Sequence, residues 1–255
     1  MDLIQALAAE LGKDPRHVEN VVHLLDEGNT IPFIARYRKE LHGAMDDTSL
    51  RTLEERLQYL RGLEERREAV KKSIDEQGKL TDELAAAIDS AKTLAEVEDL
   101  YRPYKQKRRT RATMAKEKGL EPLAALLFAQ ERDCPRPEEA ARDFVDPEKG
   151  VETVEDALQG ASDIIAEQIS DDAAIRKSLR ALISRQGQLV SRAATEDDSV
   201  YRLYYDFTQS VARLQGHQVL AINRGEKEGI LKVSITLDRE QALPLLRRAV
   251  VKPGS

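Results

Sequence analysis

Apolar residues recur every three or four positions along most of this chain, which is the spacing of one buried helix face. Residues 2–11 show the pattern first. Asp14 then suits the N-cap of a second helix, and a third helix begins near Thr30. The pattern predicts three short helices joined by tight turns over residues 1–45. This arrangement is compatible with a helix-turn-helix and equally with an ordinary helical bundle.

A much longer helix is predicted from Thr48 to Gly78. Its apolar stripe follows helical spacing and consists of Leu50, Leu53, Leu57, Leu60, Leu63, Val70 and Ile74. The stripe begins like a heptad seam, but Glu64 and Arg67 occupy the next seam positions. A coiled coil with a partner is therefore less favoured than packing within the chain.

Helical signals continue through the middle of the chain. Thr81 suits an N-cap, residues 93–96 have the form of a capping box, and Pro103 ends the helix that follows. Two further helices are predicted near residues 157–169 and 173–185. From Leu189 the pattern is less helical, Tyr201, Leu203 and Tyr205 alternate, and residues 229–235 resemble a strand.

The predicted fold class is mainly α. We expect an elongated multi-helix scaffold with a helix-turn-helix-like N-terminus and a small strand-containing C-terminal segment. The predicted domains are residues 1–45 with helix-turn-helix-like helices, 46–190 as the helical scaffold, and 191–255 as a mixed α/β segment.

Composition agrees with a helical scaffold. Of 255 residues, 41% are apolar, only 4% are aromatic, none is Trp, and 34% are charged. Such a mix is typical of exposed helical proteins rather than of enzymes with aromatic-lined pockets. The single Cys134 suits a reducing compartment. The N-terminal residues lack the pattern of a signal peptide, and no apolar run approaches a membrane span, so we expect a cytoplasmic protein without a membrane partner.

One segment is strongly basic although the whole chain carries a formal net charge of −6. Between Tyr101 and Arg111 the cationic residues are Arg102, Lys105, Lys107, Arg108, Arg109 and Arg111. A local basic cluster beside tyrosines can bind phosphates in an otherwise acidic chain. The alternative is a solvated loop between helices. Phosphate contact is favoured for the three closely spaced arginines, because their guanidinium groups repel one another without an anion.

Arg36, Arg38 and Lys39 form a second basic cluster, which Tyr37 interrupts. Arg38 and Lys39 are candidates for further phosphate contacts. For Arg36 an ion pair within the chain is the favoured interpretation, because acidic helices are predicted nearby.

Nothing in the sequence predicts catalysis. Adjacent carboxylates such as Glu64–Glu65 and Asp171–Asp172 diverge by about 100° around a helix, so they do not converge on one substrate. Asp46–Asp47 fits an N-cap better than a cation site. The histidines are scattered, and no nucleophile motif or phosphate-binding glycine loop is found. We therefore expect no enzyme activity, no metal and no cofactor.

Five segments, in order, carry a resemblance to a known family. They are residues 24–40, 52–61, 76–81, 98–111 and 216–234. They closely resemble the N-terminal region of the Tex family of bacterial transcription accessory proteins. At Gly43–Ala44–Met45 the sequence departs from the typical glycine pair followed by leucine, and we expect an altered local turn there.

The resemblance implies a function in transcription. Tex proteins continue into an RNase H-like domain, helix-hairpin-helix repeats and an RNA-binding S1 domain, and we expect all three to be absent from this chain. It implies partners too: RNA or DNA, bound weakly and without sequence preference, and RNA polymerase. The alternative is a protein-interaction module whose basic segment docks an acidic partner.

Overall fold

A computed structural model describes residues 3–106, 109–196 and 198–253 of the chain. It confirms the mainly α fold class, with a small antiparallel sheet towards the C-terminal end. Contacts divide the chain into two compact units, Met1–Glu98 and Asp99–Ser255. The domain boundaries after residues 45 and 190 remain predictions.

The first unit is helical. Its elements are α1 Leu3–Leu11, α2 Pro15–Asp26, α3 Ile31–Tyr37, α4 Asp47–Asp75 and α5 Asp82–Ser90, and α6 Leu94–Tyr101 runs across the boundary between the two units.

Local chemistry sets the helix ends of the first unit. The carboxylate of Asp14 accepts a hydrogen bond from the Arg16 amide (2.8 Å) at the start of α2, as predicted. Asp46 caps α4 in the same way, accepting from the Ser49 amide at 2.7 Å. Gly78 follows α4 with a φ of +65°, a left-handed conformation that glycine adopts readily. The helices α1, α2 and α3 are compatible with a helix-turn-helix, and that interpretation stays a prediction.

The apolar stripe of α4 is used within the chain, as the interrupted heptad pattern predicts. All seven predicted stripe residues are buried, and α4 packs against α1, α2 and α3. Arg67 is buried among them. Its guanidinium donates to the Glu64 carboxylate (2.6 Å) and to the Ala91 carbonyl, so the charge is balanced inside the unit.

Two forked ion pairs join α4 to the preceding helices. Arg56 donates to both carboxylate oxygens of Glu10 on α1, at 2.7 and 2.9 Å. Arg61 does the same with Asp26 on α2, at 2.7 and 2.8 Å. These hydrogen bonds lower the pKa of Glu10 and of Asp26.

In the described part of the second unit five helices lie between α6 and the sheet, and one of them, α10, packs against the other four. The five helices are α7 Arg111–Glu117, α8 Glu121–Ala129, α9 Pro137–Arg142, α10 Val154–Asp171 and α11 Ala173–Gln186. The α10 helix packs against α7, α8 and α9. Gly160 permits the close approach, because a Cβ there would lie 2.3 Å from Leu120 Cδ1.

The sheet follows α11. Strands β1 Gln188–Ala193, β2 Asp206–Ser210 and β3 Leu231–Thr236 are antiparallel in the order β2-β1-β3. The predicted strand at 229–235 is therefore confirmed as β3. Of the alternating residues, Leu203 instead lies in a 3-10 turn between β1 and β2, Arg202–Tyr204, and Tyr201 and Tyr205 flank that turn. Two further helices are described, α12 Gly216–Lys227 before β3 and α13 Arg239–Val250 after it.

Candidate nucleic-acid interface

The basic segment connects α6 to α7. A 3-10 turn at Arg102–Tyr104 follows α6, and Pro103 sits in that turn, as its fixed φ allows. Thr110 then caps α7: its hydroxyl accepts from the Thr113 amide (3.0 Å), and the Thr113 hydroxyl accepts from the Thr110 amide (2.7 Å). Lys107 and Arg108 lie outside the described residues.

Arg102 helps to hold this connection in place. Its Nε donates to Asp171 Oδ1 at 2.9 Å, and Asp171 is the last residue of α10. The carboxylate is nearly buried while the arginine is about half exposed. Arg102 therefore already has a structural carboxylate partner.

Arg109 and Arg111 lie much more exposed. Their side chains are 72% and 80% accessible, and each faces one carboxylate: Arg109 Nη2 is 3.2 Å from Glu117 Oε2, and Arg111 Nε is 3.9 Å from Asp163 Oδ1. Closely spaced guanidinium groups repel one another unless an anion lies nearby. Here the carboxylates of Glu117 and Asp163 provide such anions within the chain. Glu117 is 61% exposed, and an exposed pair of this kind contributes only about 0–1 kcal/mol, so exchange of this carboxylate for a phosphate costs little. Asp163 is only 19% exposed and also accepts a hydrogen bond from Gln159 Nε2 at 3.2 Å.

Lys105 borders a groove of about 480 Å³. Lys116 is the second cation in its lining, whereas Glu167, Asp171 and Asp172 are acidic. Carboxylates outnumber lysines, so the field inside the groove opposes a phosphate. A polyanion would contact the exposed arginines of the connection rather than enter the groove.

The second basic cluster belongs to the first unit. Arg38 follows α3, donates to the Tyr37 carbonyl (3.3 Å) and lies 5.4 Å from the centre of the Phe33 ring. Lys39 is exposed and makes no ion pair within the described residues. The same holds for Arg36, so the ion pair favoured from the sequence is wrong for the part of the chain that the structure describes.

Two arginines of α11, Arg176 and Arg180, are paired within the second unit. Asp99 is buried and accepts from Arg176 Nε (2.7 Å) and from Arg180 Nη2 (2.6 Å), both on α11. From the sequence these arginines resemble any solvated helix cation, because their partner lies 77 and 81 residues away.

The adjacent carboxylates Asp171 and Asp172 contact different partners, as their spacing on a helix predicts. Asp171 faces Arg102, while Asp172 caps α11 by accepting from the Ile175 amide (2.8 Å). The hydrogen bond from Ser49 lowers the pKa of Asp46, which fits its N-cap position. Within residues 3–106, 109–196 and 198–253, no group of three or more His, Cys, Asp or Glu side chains could hold a metal ion.

The candidate residue that the sequence analysis did not single out is aromatic rather than charged. Tyr37 stands out as a half-exposed ring between unpaired cations, although the sequence marks it only as an interruption of the basic cluster.

No helix in the described part of the chain has the length and apolarity needed to cross a membrane.

Two family models match the chain. The model described as the Tex-like protein N-terminal domain matches residues 1–75, and the one described as Tex central region-like matches residues 133–251. The second basic cluster lies within the first match. The basic segment at 101–111 lies between the two.

Similar proteins occur in bacteria and in animals. The protein YhgF of Escherichia coli is 48% identical over 91% of this chain, and the transcriptional accessory protein Tex of Neisseria gonorrhoeae is 43% identical over 92%. The human S1 RNA-binding domain-containing protein 1 is 30% identical over 92%. The chain spans 30%, 31% and 24% of the lengths of these three relatives.

Proposed function

Since the chain belongs to the Tex family of transcription accessory proteins, we propose that it is a non-catalytic helical scaffold that contributes to nucleic-acid and RNA polymerase association during transcription. The observation that carries the proposal is the exposure of Arg109 and Arg111 on the connection between α6 and α7. The names of relatives, one a transcriptional accessory protein and another an S1 RNA-binding domain-containing protein, support the same direction.

The arginines are suited to phosphates by their chemistry. A guanidinium can donate two parallel hydrogen bonds to a phosphate, which the Arg111–Asp163 contact at 3.9 Å does not provide. Release of counterions from the nucleic acid adds a favourable term that an ion pair within the chain lacks. Arg109 and Arg111 can therefore leave Glu117 and Asp163 for a phosphate backbone.

The contact would position a nucleic acid without reading its bases. Arg109 and Arg111 lie on a connection and a helix start, and phosphate contacts carry no sequence information. With few contacts and acidic residues in the neighbouring groove, affinity should be weak, about 10–100 μM near physiological salt.

The absence of catalysis is part of the proposal. Asp46 and Asp172 cap helices and Asp171 faces Arg102, so each of these three carboxylates already has a structural partner. Nuclease chemistry of the two-metal kind requires converging carboxylate ligands.

A protein-interaction module is the second candidate. The basic segment would then dock an acidic protein surface. Three apolar side chains of the second unit are largely exposed, Val200, Leu203 and Leu220, and a protein partner would bury them whereas a phosphate backbone would not.

Replacement of Arg108, Arg109 and Arg111 together by Ser tests the proposal. Affinity for every nucleic acid should fall alike, and the slope of log K against log salt should flatten by about two to three units if each contacts a phosphate. A matched variant with Arg132, Arg136 and Arg142 changed to Ser alters the net charge equally at exposed positions of the same unit.

The matched variant decides the outcome. It should bind almost as tightly as the parent while the triple variant of the basic segment loses affinity. Equal binding by the parent and the basic-segment variant would refute phosphate contact there. Loss of the far-ultraviolet circular dichroism signal in that variant alone would show instead that the arginines hold the fold.

A further inference from the structure

Tyr37 is an exposed aromatic ring at the end of α3. Among the described residues of the first unit it is the most exposed large apolar side chain, with 56% of its surface accessible. Its ring leans on Phe33, with centroids 5.3 Å apart and planes inclined at 46°. The Phe33 contact steadies the Tyr37 ring and leaves much of it in water.

Two of the three cations next to Tyr37 in the sequence are available to a ligand, whereas the third, Arg38, lies over the Phe33 ring. Arg36 and Lys39 make no ion pair within the described residues, whereas Arg56 and Arg61 of the same unit are each held by a carboxylate in a forked pair. With three cations and one acid, Glu40, residues 36–45 carry a formal net charge of +2. An exposed ring beside unpaired cations offers both stacking and phosphate contact.

Hydrogen bonds from α2 hold the backbone that follows these side chains. The Leu41 carbonyl accepts hydrogen bonds from His17 Nδ1 (3.0 Å) and from Asn20 Nδ2 (3.1 Å), both on α2. Ile34 on α3 is fully buried, and Met45, which precedes α4, is buried as well. A preorganised surface loses little conformational entropy when a ligand binds.

We propose that the end of α3 is a binding site for single-stranded nucleic acid, in which an unpaired base stacks on Tyr37 while Arg36 and Lys39 contact the flanking phosphates. A duplex keeps its bases stacked on one another, so a lone exposed ring selects unpaired bases. Every base has a π-face, so the site does not depend on sequence. The inference rests on the proposed function and adds a second surface and a preferred strand form to it.

Tyr37→Ala tests the stacking. The probes are a short fluorescein-labelled oligothymidylate and a mixed-sequence duplex of equal length, titrated at low salt and followed by fluorescence anisotropy. Tyr37→Ala should weaken single-strand binding about 5- to 100-fold and leave duplex binding unchanged. Tyr37→Phe, which keeps the ring, should bind as the parent does.

Tyr204→Ala is the matched control. Tyr204 also forms an aromatic pair, with Phe207 at the same 5.3 Å, but the neighbouring Arg202 is paired with Asp198. This variant should bind both probes like the parent.

A single 2-aminopurine in the oligonucleotide reports stacking directly, because its fluorescence is quenched in a stack; Tyr37→Ala should abolish the quenching.

A charge variant tests the phosphate contacts separately. Arg36→Gln combined with Lys39→Gln should flatten the salt slope for the single strand by about 1.4, at 0.7 per contact. Arg51→Gln combined with Lys72→Gln removes the same charge from α4 of the same unit and should leave the slope nearly unchanged.

The outcomes separate the two proposals. If the parent binds and Tyr37→Ala binds the single strand equally well, or loses single strand and duplex alike, the stacking site is refuted while the proposed function stands. If the parent binds neither probe, the proposed function and the stacking site both fail.

Discussion

Asp99 provides the sharpest test of how the second unit is held together. Its side chain is only 5% exposed and accepts hydrogen bonds from Arg176 (2.7 Å) and Arg180 (2.6 Å). Asp99→Asn keeps the shape but removes the charge. The amide can accept from one arginine, while its NH2 group faces the donors of the other.

The expected loss follows from the burial of the three side chains. Removal of one partner of a fully buried ion pair costs about 3–5 kcal/mol. Arg176 and Arg180 are 31% and 41% exposed, so water can solvate them in the variant and reduce the loss to about 2–3 kcal/mol. For a unit of this size that lowers the melting temperature by about 4–12 °C.

Thermal unfolding followed by circular dichroism at a helical wavelength measures this shift, because the chain has no Trp for fluorescence. Glu117→Gln is the control in the same unit, since its pair with Arg109 is largely exposed and contributes about 1 kcal/mol or less. If Asp99→Asn melts within experimental error of the parent, the two arginines do not depend on Asp99, and the reasoning from burial is refuted.

Three further predictions concern packing, backbone and pH. Gly160→Ala should destabilise the second unit by about 1–2 kcal/mol in urea unfolding, because overpacking against Leu120 outweighs the gain in helix propensity; an unchanged midpoint would contradict the close packing. Ala44→Gly should stabilise the first unit by about 0.5–1 kcal/mol, because Ala44 has a φ of +57°; a lower melting temperature would contradict this. The hydrogen bond from Arg56 lowers the pKa of Glu10, so the stability from this pair is complete above the ordinary value of 4.5 and is lost as the pH falls through the lowered folded-state pKa. Glu10→Gln should remove about 1 kcal/mol or less of that acid-dependent stability. Equal acid sensitivity of parent and variant would contradict this prediction.

Much of the helical structure could be predicted because helix ends depend on nearby residues. Asp14, Asp46 and Thr81 each cap the helix that the sequence placed after them. The stripe of α4 was equally readable, since burial follows helical periodicity. Strand β1 was not recognised, because its pairing with β2 and β3 is set by residues far along the chain.

The candidate site shows a different limit. The sequence located the cations but not their partners, because ion pairs join residues distant in sequence, such as Arg102 and Asp171 at a separation of 69 residues. Arg36 was expected to be paired and is unpaired in the described structure, while Arg109 and Arg111 each face a carboxylate. Tertiary structure decides which cations remain available to a ligand.

Titration of the chain with single-stranded and duplex nucleic acid at two salt concentrations shows whether it binds nucleic acids through phosphate contacts. The account predicts saturable binding of both, a dissociation constant of about 10–100 μM near physiological salt, and an affinity that falls steeply as salt increases. It predicts tighter binding of the single strand. Absence of binding at low salt, together with binding to an acidic protein partner, would contradict it.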